Sequence, residues 1–356
     1  MIKSRVEKIS SSLKSNEAVL ISSESNRRYL TGFPSSAGIV VITAEKGTFL
    51  IDFRYIEKAQ ATITSCDVVL MTKQYEQIKS ILEENGINKV YIETERLDVA
   101  TARTYREKFA GVEISEEPVI DKLLTYMRAQ KTEEELKYIC AAQEITDKAF
   151  SYICEYIKPG LTEKEVALEM EFFMRKLGSE GVSFDFIVVS GANSSLPHGV
   201  PTDKKIENGD FITMDFGAVV NGYRSDMTRT VAVGSVTDEQ KKVYDTVLRA
   251  QLAGIDAIHE GVTGKEADSA ARDIIEEAGY GDYFGHSLGH SVGIEIHEEP
   301  RCSQTCNEAL KAGTVMTVEP GIYLPGKFGV RIEDMVYVTA DGCRKLTHSP
   351  KELIIL

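Results

Sequence analysis

Residues 211–233 read FITMDFGAVVNGYRSDMTRTVAV, two apolar runs that flank the dipeptide Asn-Gly at 221–222. Asn-Gly between two such runs is a strong indicator of a tight β-hairpin turn. Asp215 ends the first run and Asp226 begins the second, so the pattern predicts two carboxylates on neighbouring antiparallel strands. Gly217, close behind the first run, indicates a place where another backbone segment approaches closely.

The same pattern recurs near the C-terminus. Residues 317–336 read TVEPGIYLPGKFGVRIEDMV, again a strand, a Gly-rich turn and a strand. Here Glu319 and Glu333 stand in the positions that the two aspartates occupy in the first segment. The recurrence predicts an internal duplication in which each half supplies one pair of carboxylates. We find no other repeat.

A histidine between the two segments completes a set of residues that could bind metal ions. The candidate ligands are Asp215, Asp226, His290, Glu319 and Glu333. Four carboxylates and one imidazole carry a charge of about −4, which balances two divalent cations, and oxygen-rich sites favour ions like Mn²⁺. The sequence therefore predicts a hydrolase with two metal ions.

Length and charge limit the remaining possibilities. A chain of 356 residues with 42% hydrophobic content is long enough for two domains, each with its own core. The net charge of −14 argues against nucleic acid or an anionic membrane surface as a partner, because both require basic patches. Residues 1–8 lack the apolar centre of a signal peptide, and six cysteines without a paired framework are typical of reduced thiols, so we expect a cytoplasmic protein without a membrane partner.

The sequence pattern predicts two domains of different fold class. Residues 1–120 alternate β-rich runs and helical patterns, which indicates an α/β domain with a central sheet, and 121–131 read as a linker helix. Residues 132–356 read as an α+β domain, whose first helix starts at a capping-box pattern after Thr132. In the first domain we predict strands at 18–21, 38–42, 48–51, 68–70 and 90–92, and helices at 54–63, 74–85 and 98–109. In the second we predict helices from 132 to about 158, from 162, at about 238–258 and at about 265–278.

The five candidate ligands in these contexts resemble the pita-bread metallopeptidases, family M24, which include methionine aminopeptidase, aminopeptidase P and Xaa-Pro dipeptidase (prolidase). The resemblance covers about residues 125–356, and residues 1–120 match the creatinase/prolidase-like N-terminal domain in size and position. It implies a curved antiparallel sheet with helices outside and an internal pseudo-twofold repeat. It also implies two divalent ions, Mn²⁺ first with Co²⁺ or Zn²⁺ as alternatives, a homodimer, and a small peptide substrate with proline at the second position.

Further histidines match the proline-specific branch of this family. His198, His286 and His297 fall where that branch keeps them. The resemblance implies that Glu319 acts as the proton shuttle, that His286 and His297 stabilise the oxyanion or orient the substrate, and that His198 contacts the substrate.

Other residues match the same branch. Arg331 and Tyr323 are expected to hold carboxylates in orientation. Arg301, in the run HEEPR at 297–301, resembles the arginine with which prolidases clamp the free carboxylate of a dipeptide, although an arginine in this place can also be an ordinary solvated one. Phe184 and Ile296 stand at positions that line the proline pocket in relatives, or they are plain core residues.

The function expected from these residues is hydrolysis of Xaa-Pro bonds by an Xaa-Pro dipeptidase, with aminopeptidase P acting on longer peptides as the alternative. A serine hydrolase is a competitor, because GHSLG at 285–289 fits the G-x-S-x-G pattern. A non-catalytic pita-bread binding protein, or a metal-free amidinohydrolase such as creatinase, would be expected to have lost ligands, and all five are present.

Overall fold

The structure, a computed structural model, describes residues 2–356. The chain divides into two compact units, Met1–Met127 and Arg128–Leu356. A helix occupies Val119–Ala129, where the sequence predicts the linker helix. The predicted domain limits at 120 and 132 stay predictions. Within the described residues, no helix is both long enough and apolar enough to cross a membrane.

The first unit is built on a six-stranded sheet with strand order β4-β3-β2-β1-β5-β6. Its strands are β1 Glu17–Ile21, β2 Ile39–Thr43, β3 Gly47–Ile51, β4 Asp67–Leu70, β5 Lys89–Ile92 and β6 Glu113–Ser115. Its helices are α1 Ile2–Ser10, α2 Glu24–Thr31, α3 Ile56–Thr62, α4 Gln74–Glu84 and α5 Val99–Lys108, followed by α6 Val119–Ala129. All eight predicted elements are confirmed, whereas α1, α2 and β6 were not predicted.

Four long helices of the second unit begin in the same way. They are α7 Glu133–Tyr156, α8 Glu163–Lys176, α9 Asp238–Ala257 and α10 Gly264–Glu277. Each is preceded by a threonine whose side chain accepts from the third backbone N–H of the helix, while a Glu or Gln at that position bonds back to the threonine N–H. This capping box satisfies backbone donors that would otherwise lack partners, which explains why the helices start where the sequence predicts.

The strands of the second unit form several small sheets. They are β7 Ile187–Ser190, β8 Phe211–Phe216, β9 Val219–Val220, β10 Tyr223–Arg224, β11 Met227–Ala232, β12 Gly289–Ser291, β13 Glu298–Cys302, β14 Val315–Val318, β15 Gly321–Leu324, β16 Phe328–Arg331, β17 Asp334–Val338 and β18 Cys343–Lys345. Short 3-10 helices lie at Gly191–Ser195 and Gly281–Tyr283.

The predicted internal repeat is confirmed by the order of these strands. In the first half β11-β8-β7 are neighbours, and in the second half β17-β14-β12 are neighbours. In each half a two-stranded hairpin, β9–β10 or β15–β16, is inserted between the two strands nearest the carboxylates. Each half also begins with two helices, α7 and α8 or α9 and α10, and has its own apolar core. The repeat therefore includes helices as well as the strands that the sequence indicated.

The first hairpin has the predicted register and turn. Asp215 on β8 is paired with Thr228 on β11, so Asp226 lies one step beyond the end of the ladder. Asn221 and Gly222 have φ of 49° and 81°, the left-handed conformation that a tight turn between strands requires.

Gly217 is a site of close backbone approach, as predicted. A Cβ at this position would overlap the backbone oxygen of Ser225. We expect Gly217→Ala to lower the free energy of unfolding by about 1–3 kcal/mol, because a methyl group forced into a filled space shifts the backbone. Urea unfolding followed by circular dichroism measures this.

Gly342→Ala is the matched control, since an added Cβ there meets no atom within 4 Å. Equal effects of the two substitutions would show that the close approach at Gly217 does not limit the side chain.

Candidate metal centre

Three buried side chains from different strands converge on one point. Asp226 immediately precedes β11, His290 lies in β12, and Glu333 lies between β16 and β17. One ligand atom from each of these residues lies within 4.8 Å of the other two. The two halves of the repeat are joined here, because the Glu333 N–H donates to the carbonyl oxygen of Thr228 at 3.1 Å. The arrangement offers two carboxylates and an imidazole to a cation.

His290 is oriented with one ring nitrogen free to bind a metal ion. Its Nδ1 lies 3.1 Å from the carbonyl oxygen of Ser291, where an N–H can donate. Its Nε2 faces Glu319 Oε1 at 3.3 Å and Asp226 Oδ2 at 3.6 Å. A proton on Nδ1 leaves the Nε2 lone pair directed at the carboxylates, the usual state of a metal-binding histidine. Glu319 thereby joins the cluster.

Asp215 belongs to the same site but is held by an arginine. Arg331 Nη2 donates to Asp215 Oδ2 at 2.6 Å. The other oxygen, Asp215 Oδ1, is buried without a hydrogen-bond partner among the described residues, and so is Glu333 Oε1. Buried carboxylate oxygens without partners are costly, and cations would satisfy them. The residues present therefore fit a centre of two divalent metal ions.

The pKa values of the carboxylates reflect their crowding. Burial, and then the charges of neighbouring carboxylates, raise the pKa of Asp226 and of Glu333 well above the ordinary values. Burial also raises the pKa of Asp215, against the effect of Arg331. Burial alone would raise the pKa of Glu319, but a His290 ring that carries protons on both nitrogens donates to Glu319, and this hydrogen bond and charge outweigh burial and lower the pKa to about 2.

A hydrogen-bond chain runs from the arginine to a second histidine. Arg331 Nη1 donates to the Tyr323 hydroxyl at 2.8 Å, and that hydroxyl lies 2.9 Å from His286 Nε2. The other nitrogen, His286 Nδ1, lies 2.9 Å from the carbonyl oxygen of Ser287. Burial lowers the pKa of His286, so the ring is neutral and Nε2 accepts from tyrosine. With both nitrogens engaged in these contacts, His286 is placed to position Tyr323, and its role at an oxyanion or the substrate stays a prediction.

Thr228 is a site residue that the sequence analysis missed. Its hydroxyl accepts from Arg331 Nε at 2.9 Å and donates to Glu333 Oε2 at 2.7 Å. It therefore links Arg331, which holds Asp215, to Glu333. Its position two residues after Asp226, opposite Asp215 in the predicted hairpin, is the signal that could have identified it.

His297 lies at the solvent edge of the centre. Its ring centroid is 4.4 Å from that of His290. Partial burial, and then the charges of a protonated His290 and of Arg301, lower the pKa of His297 to about 4, and His198 adds a smaller effect of the same sign. His198 is exposed in the loop after Gly191–Ser195. His297 therefore lies beside His290 on the exposed side of the centre.

Arg301 is on the strand next to His290. It is the cross-strand partner of His290 in the pairing of β13 with β12, and such partners project on the same face. Its side chain is 49% exposed, and its Nε lies 3.2 Å from Glu299 Oε1. Phe184 and Ile296 are half-buried, and their place in a proline pocket stays a prediction.

The serine-hydrolase alternative is wrong. A nucleophile elbow needs a strand before the serine and a helix after it. Residues 285–289 instead follow the 3-10 helix Gly281–Tyr283 and lead directly into β12. Ser287 therefore lacks the geometry of a nucleophile.

A buried ion cluster holds the turn that carries Ile296 and His297. Arg128 Nη2 and Lys131 Nζ donate to the two oxygens of Glu298, at 2.5 and 2.9 Å. The backbone N–H of Glu295 donates to the same carboxylate at 3.1 Å. Burial would raise the pKa of Glu298, but Lys131 and Arg128 outweigh it and lower the pKa to about 2.

Comparison with known proteins shows which family has this sequence and fold. The sequence pattern of metallopeptidase family M24 matches residues 137–340, and that of the creatinase/prolidase N-terminal domain matches residues 5–123. The chain is similar to the Xaa-Pro dipeptidase of Pyrococcus furiosus, with 41% identity over 99% of this chain and 100% of that protein.

Solved structures agree with the sequence matches. The structure of an Xaa-Pro dipeptidase from Bacillus anthracis superimposes with a TM-score of 0.96 at 43% identity, covering 100% of both chains. An X-Pro aminopeptidase from Thermotoga maritima superimposes with a TM-score of 0.91 at 38% identity, covering 98% of this chain and 100% of that one.

The buried Glu298 makes part of the stability depend on pH. Because its pKa in the folded state, about 2, is below the ordinary value of 4.5, its charge stabilises the fold above about pH 4.5, and this stabilisation is lost as the pH falls towards 2. We expect the free energy of unfolding of wild type to be higher than that of Glu298→Gln. The difference should be on the order of 3 kcal/mol near neutral pH and should become smaller in acid.

Urea unfolding of both proteins between neutral pH and about pH 3 measures this difference. Glu308→Gln, which removes an exposed charge from the same unit, is the control and should show little difference at any pH. A wild-type advantage that stays constant across the range would contradict the prediction.

Proposed function

Because the chain belongs to metallopeptidase family M24, we propose that it hydrolyses Xaa-Pro peptide bonds as a metal-dependent Xaa-Pro dipeptidase (prolidase). The observation that carries the proposal is the buried cluster of Asp226, His290 and Glu333, in a chain similar over its full length to enzymes of that name. The alternative is an Xaa-Pro aminopeptidase that acts on longer peptides, as the Thermotoga maritima protein is named.

We propose that Asp215, Asp226, His290, Glu319 and Glu333 hold two divalent cations. When bound, the cations would lower the pKa of a water molecule and polarise the scissile carbonyl. Glu319 is the candidate proton shuttle, because its side chain, 17% exposed, is the most accessible of the four carboxylates. It would accept the proton of the attacking water and deliver it to the leaving nitrogen.

The substrate would bind on the open side of the centre. An Xaa-Pro bond is a tertiary amide without an N–H, so its site needs room for a ring and no acceptor that demands that proton. Phe184 and Ile296 are the proposed walls of that space. His297 and His198 would orient the peptide near the scissile carbonyl, and Arg301 would receive its free carboxylate.

Arg331, Tyr323 and His286 act as positioning residues in this proposal. Arg331 holds Asp215 while Tyr323 links the arginine to His286. A carboxylate that is held in one orientation binds a cation without first losing freedom of rotation.

Three finer features are proposed with the activity. Mn²⁺ is the expected metal, with Co²⁺ or Zn²⁺ as alternatives, because the ligands are mostly carboxylate oxygens. A cytoplasmic location is supported by the six free cysteines, which are typical of a reducing compartment. A homodimer is inferred from the family alone, and sedimentation would decide it.

The direct test compares an Xaa-Pro dipeptide with the matching Xaa-Pro-Xaa tripeptide, with and without Mn²⁺. We expect cleavage of the dipeptide that a chelator abolishes and Mn²⁺ restores. Preference for the tripeptide would favour the aminopeptidase, and no metal-dependent cleavage of either peptide would refute the proposal.

Metal removal should destabilise the second unit. A ligand that binds only the folded state adds about 2.7 kcal/mol at a hundredfold excess over Kd, and without cations the four carboxylates repel each other. We therefore expect a higher Tm for protein loaded with Mn²⁺ than for metal-free protein. Asp226→Asn should reduce the gap, while Glu308→Gln, a surface control, should keep it. Identical melting curves for the two wild-type forms would argue against the metal site.

Arg301→Ala should distinguish a dipeptidase from an aminopeptidase. A bidentate, charge-assisted contact to the substrate carboxylate is available only when proline is the last residue. We expect kcat/KM to fall by about tenfold or more on the dipeptide, equivalent to about 1.4 kcal/mol, and to change little on the tripeptide.

The control for this variant is Arg249→Ala, an exposed arginine on α9, which should leave both substrates unaffected. Equal losses on dipeptide and tripeptide would make Arg301 a structural residue.

A further inference from the structure

The segment 284–288, which leads into β12, is neither helix nor strand, yet its backbone is held by two side chains of α10. Asp268 and Arg272 are one helical turn apart and form a bidentate ion pair, with N···O distances of 2.6 and 3.0 Å. Asp268 is fully buried and Arg272 is 9% exposed.

This ion pair forms hydrogen bonds with the backbone of every second residue of the segment. Arg272 donates through Nη1 to the Phe284 carbonyl oxygen at 2.9 Å and through Nη2 to the His286 carbonyl oxygen at 2.7 Å. Asp268 Oδ1 accepts from the backbone N–H of Leu288 at 3.0 Å. Alternate backbone groups on one side are what a neighbouring strand would bind. The ion pair therefore replaces a missing strand beside 284–288.

The segment leads directly to three residues of the metal centre. The Leu288 carbonyl oxygen accepts from the backbone N–H of Glu319 at 2.8 Å. His290 follows two residues later, and His286 belongs to the segment itself. A shift of this backbone would move a ligand carboxylate, the ligand imidazole and the partner of Tyr323 together.

The contacts of Arg272 are specific to a guanidinium group. Its planar fork binds Asp268 and two carbonyl oxygens at once, and its carbon atom lies 4.1 Å from the centroid of the Phe284 ring. Apolar side chains could fill the same space, and replacing a buried ion pair in this way is often neutral for stability. They could not hold three backbone groups in place.

We propose that Asp268 and Arg272 are positioning residues, which hold segment 284–288 in its metal-binding arrangement before a cation arrives and thereby set the metal affinity of the centre. The inference rests on the proposed metal site. Residues that orient metal ligands typically change metal affinity about 10- to 100-fold when they are replaced.

The test is Mn²⁺ binding to metal-free protein, measured by titration calorimetry, for wild type and Arg272→Lys. Lysine keeps the charge and can still pair with Asp268, but it cannot span both carbonyl oxygens. We expect the Kd for Mn²⁺ to rise by about tenfold or more.

A matched control is available on α8. Arg175 and Glu171 have the same four-residue spacing, but that pair is exposed, with Arg175 49% and Glu171 37% accessible. Arg175→Lys should therefore leave the Kd for Mn²⁺ unchanged. If Arg272→Lys lowers the Tm of the metal-free protein but leaves the Kd unchanged, the pair is merely structural and the proposal is wrong.

Amide exchange in wild type gives a second test that needs no variant. If the pair holds the segment, a peptide covering 284–290 stays as protected in metal-free protein as in protein with Mn²⁺. Loss of protection on metal removal would mean that the cation holds the segment, which overturns the proposal. This result applies even where Arg272→Lys fails to fold.

The outcomes also separate this inference from the proposed function. Wild type that binds none of Mn²⁺, Co²⁺ and Zn²⁺ would refute the metal site itself. Wild type that binds Mn²⁺ with an affinity insensitive to Arg272→Lys would refute only the positioning role.

Discussion

The electrostatic repulsion among four inward-facing carboxylates is the constraint on which the second unit depends. Asp215, Asp226 and Glu333 are buried, and this burial, followed by the charges of neighbouring carboxylates, raises the pKa values of Asp226 and Glu333 well above the ordinary range. Such a group of acids does not gather spontaneously, because each loses hydration and gains like-charged neighbours. The surrounding fold must therefore hold the carboxylates together until cations compensate them.

The fold meets this demand mainly through its backbone and through neutral or paired donors. Each half of the repeat places its acids at strand ends, where rigid ladders fix their direction. Hydrogen bonds across the centre, from Glu333 N–H to Thr228 and from Glu319 N–H to Leu288, join separate strands. Arg331 neutralises part of the charge at Asp215. The geometry of the site is thus set by contacts that are independent of a cation.

Local sequence patterns predicted most of this arrangement. Both hairpins, the capping boxes and the strands that carry the acids follow from short-range rules, because a strand, a tight turn and a helix start each have a signal within a few residues. The contacts of His286 and Arg272 could not be predicted, since each depends on residues brought together by tertiary packing. Thr228 could have been identified, because it stands opposite Asp215 in the predicted hairpin. The same limit applies to GHSLG at 285–289, because side chains of α10 hold the backbone of His286 and Leu288.

The buried side and the exposed side of the centre differ in how strongly the structure constrains their side chains. The candidate metal-binding side chains lie mostly within the protein and are linked through several strands, so we expect a change at one of them to disturb the others. Arg301 is half-exposed on an edge of the site, where its replacement leaves no buried charge unpaired. Substrate length can therefore change through exposed residues while the buried centre stays the same. An Xaa-Pro dipeptidase and an X-Pro aminopeptidase both superimpose on this chain, so under the proposed role of Arg301 the exposed face would determine which peptide is accepted.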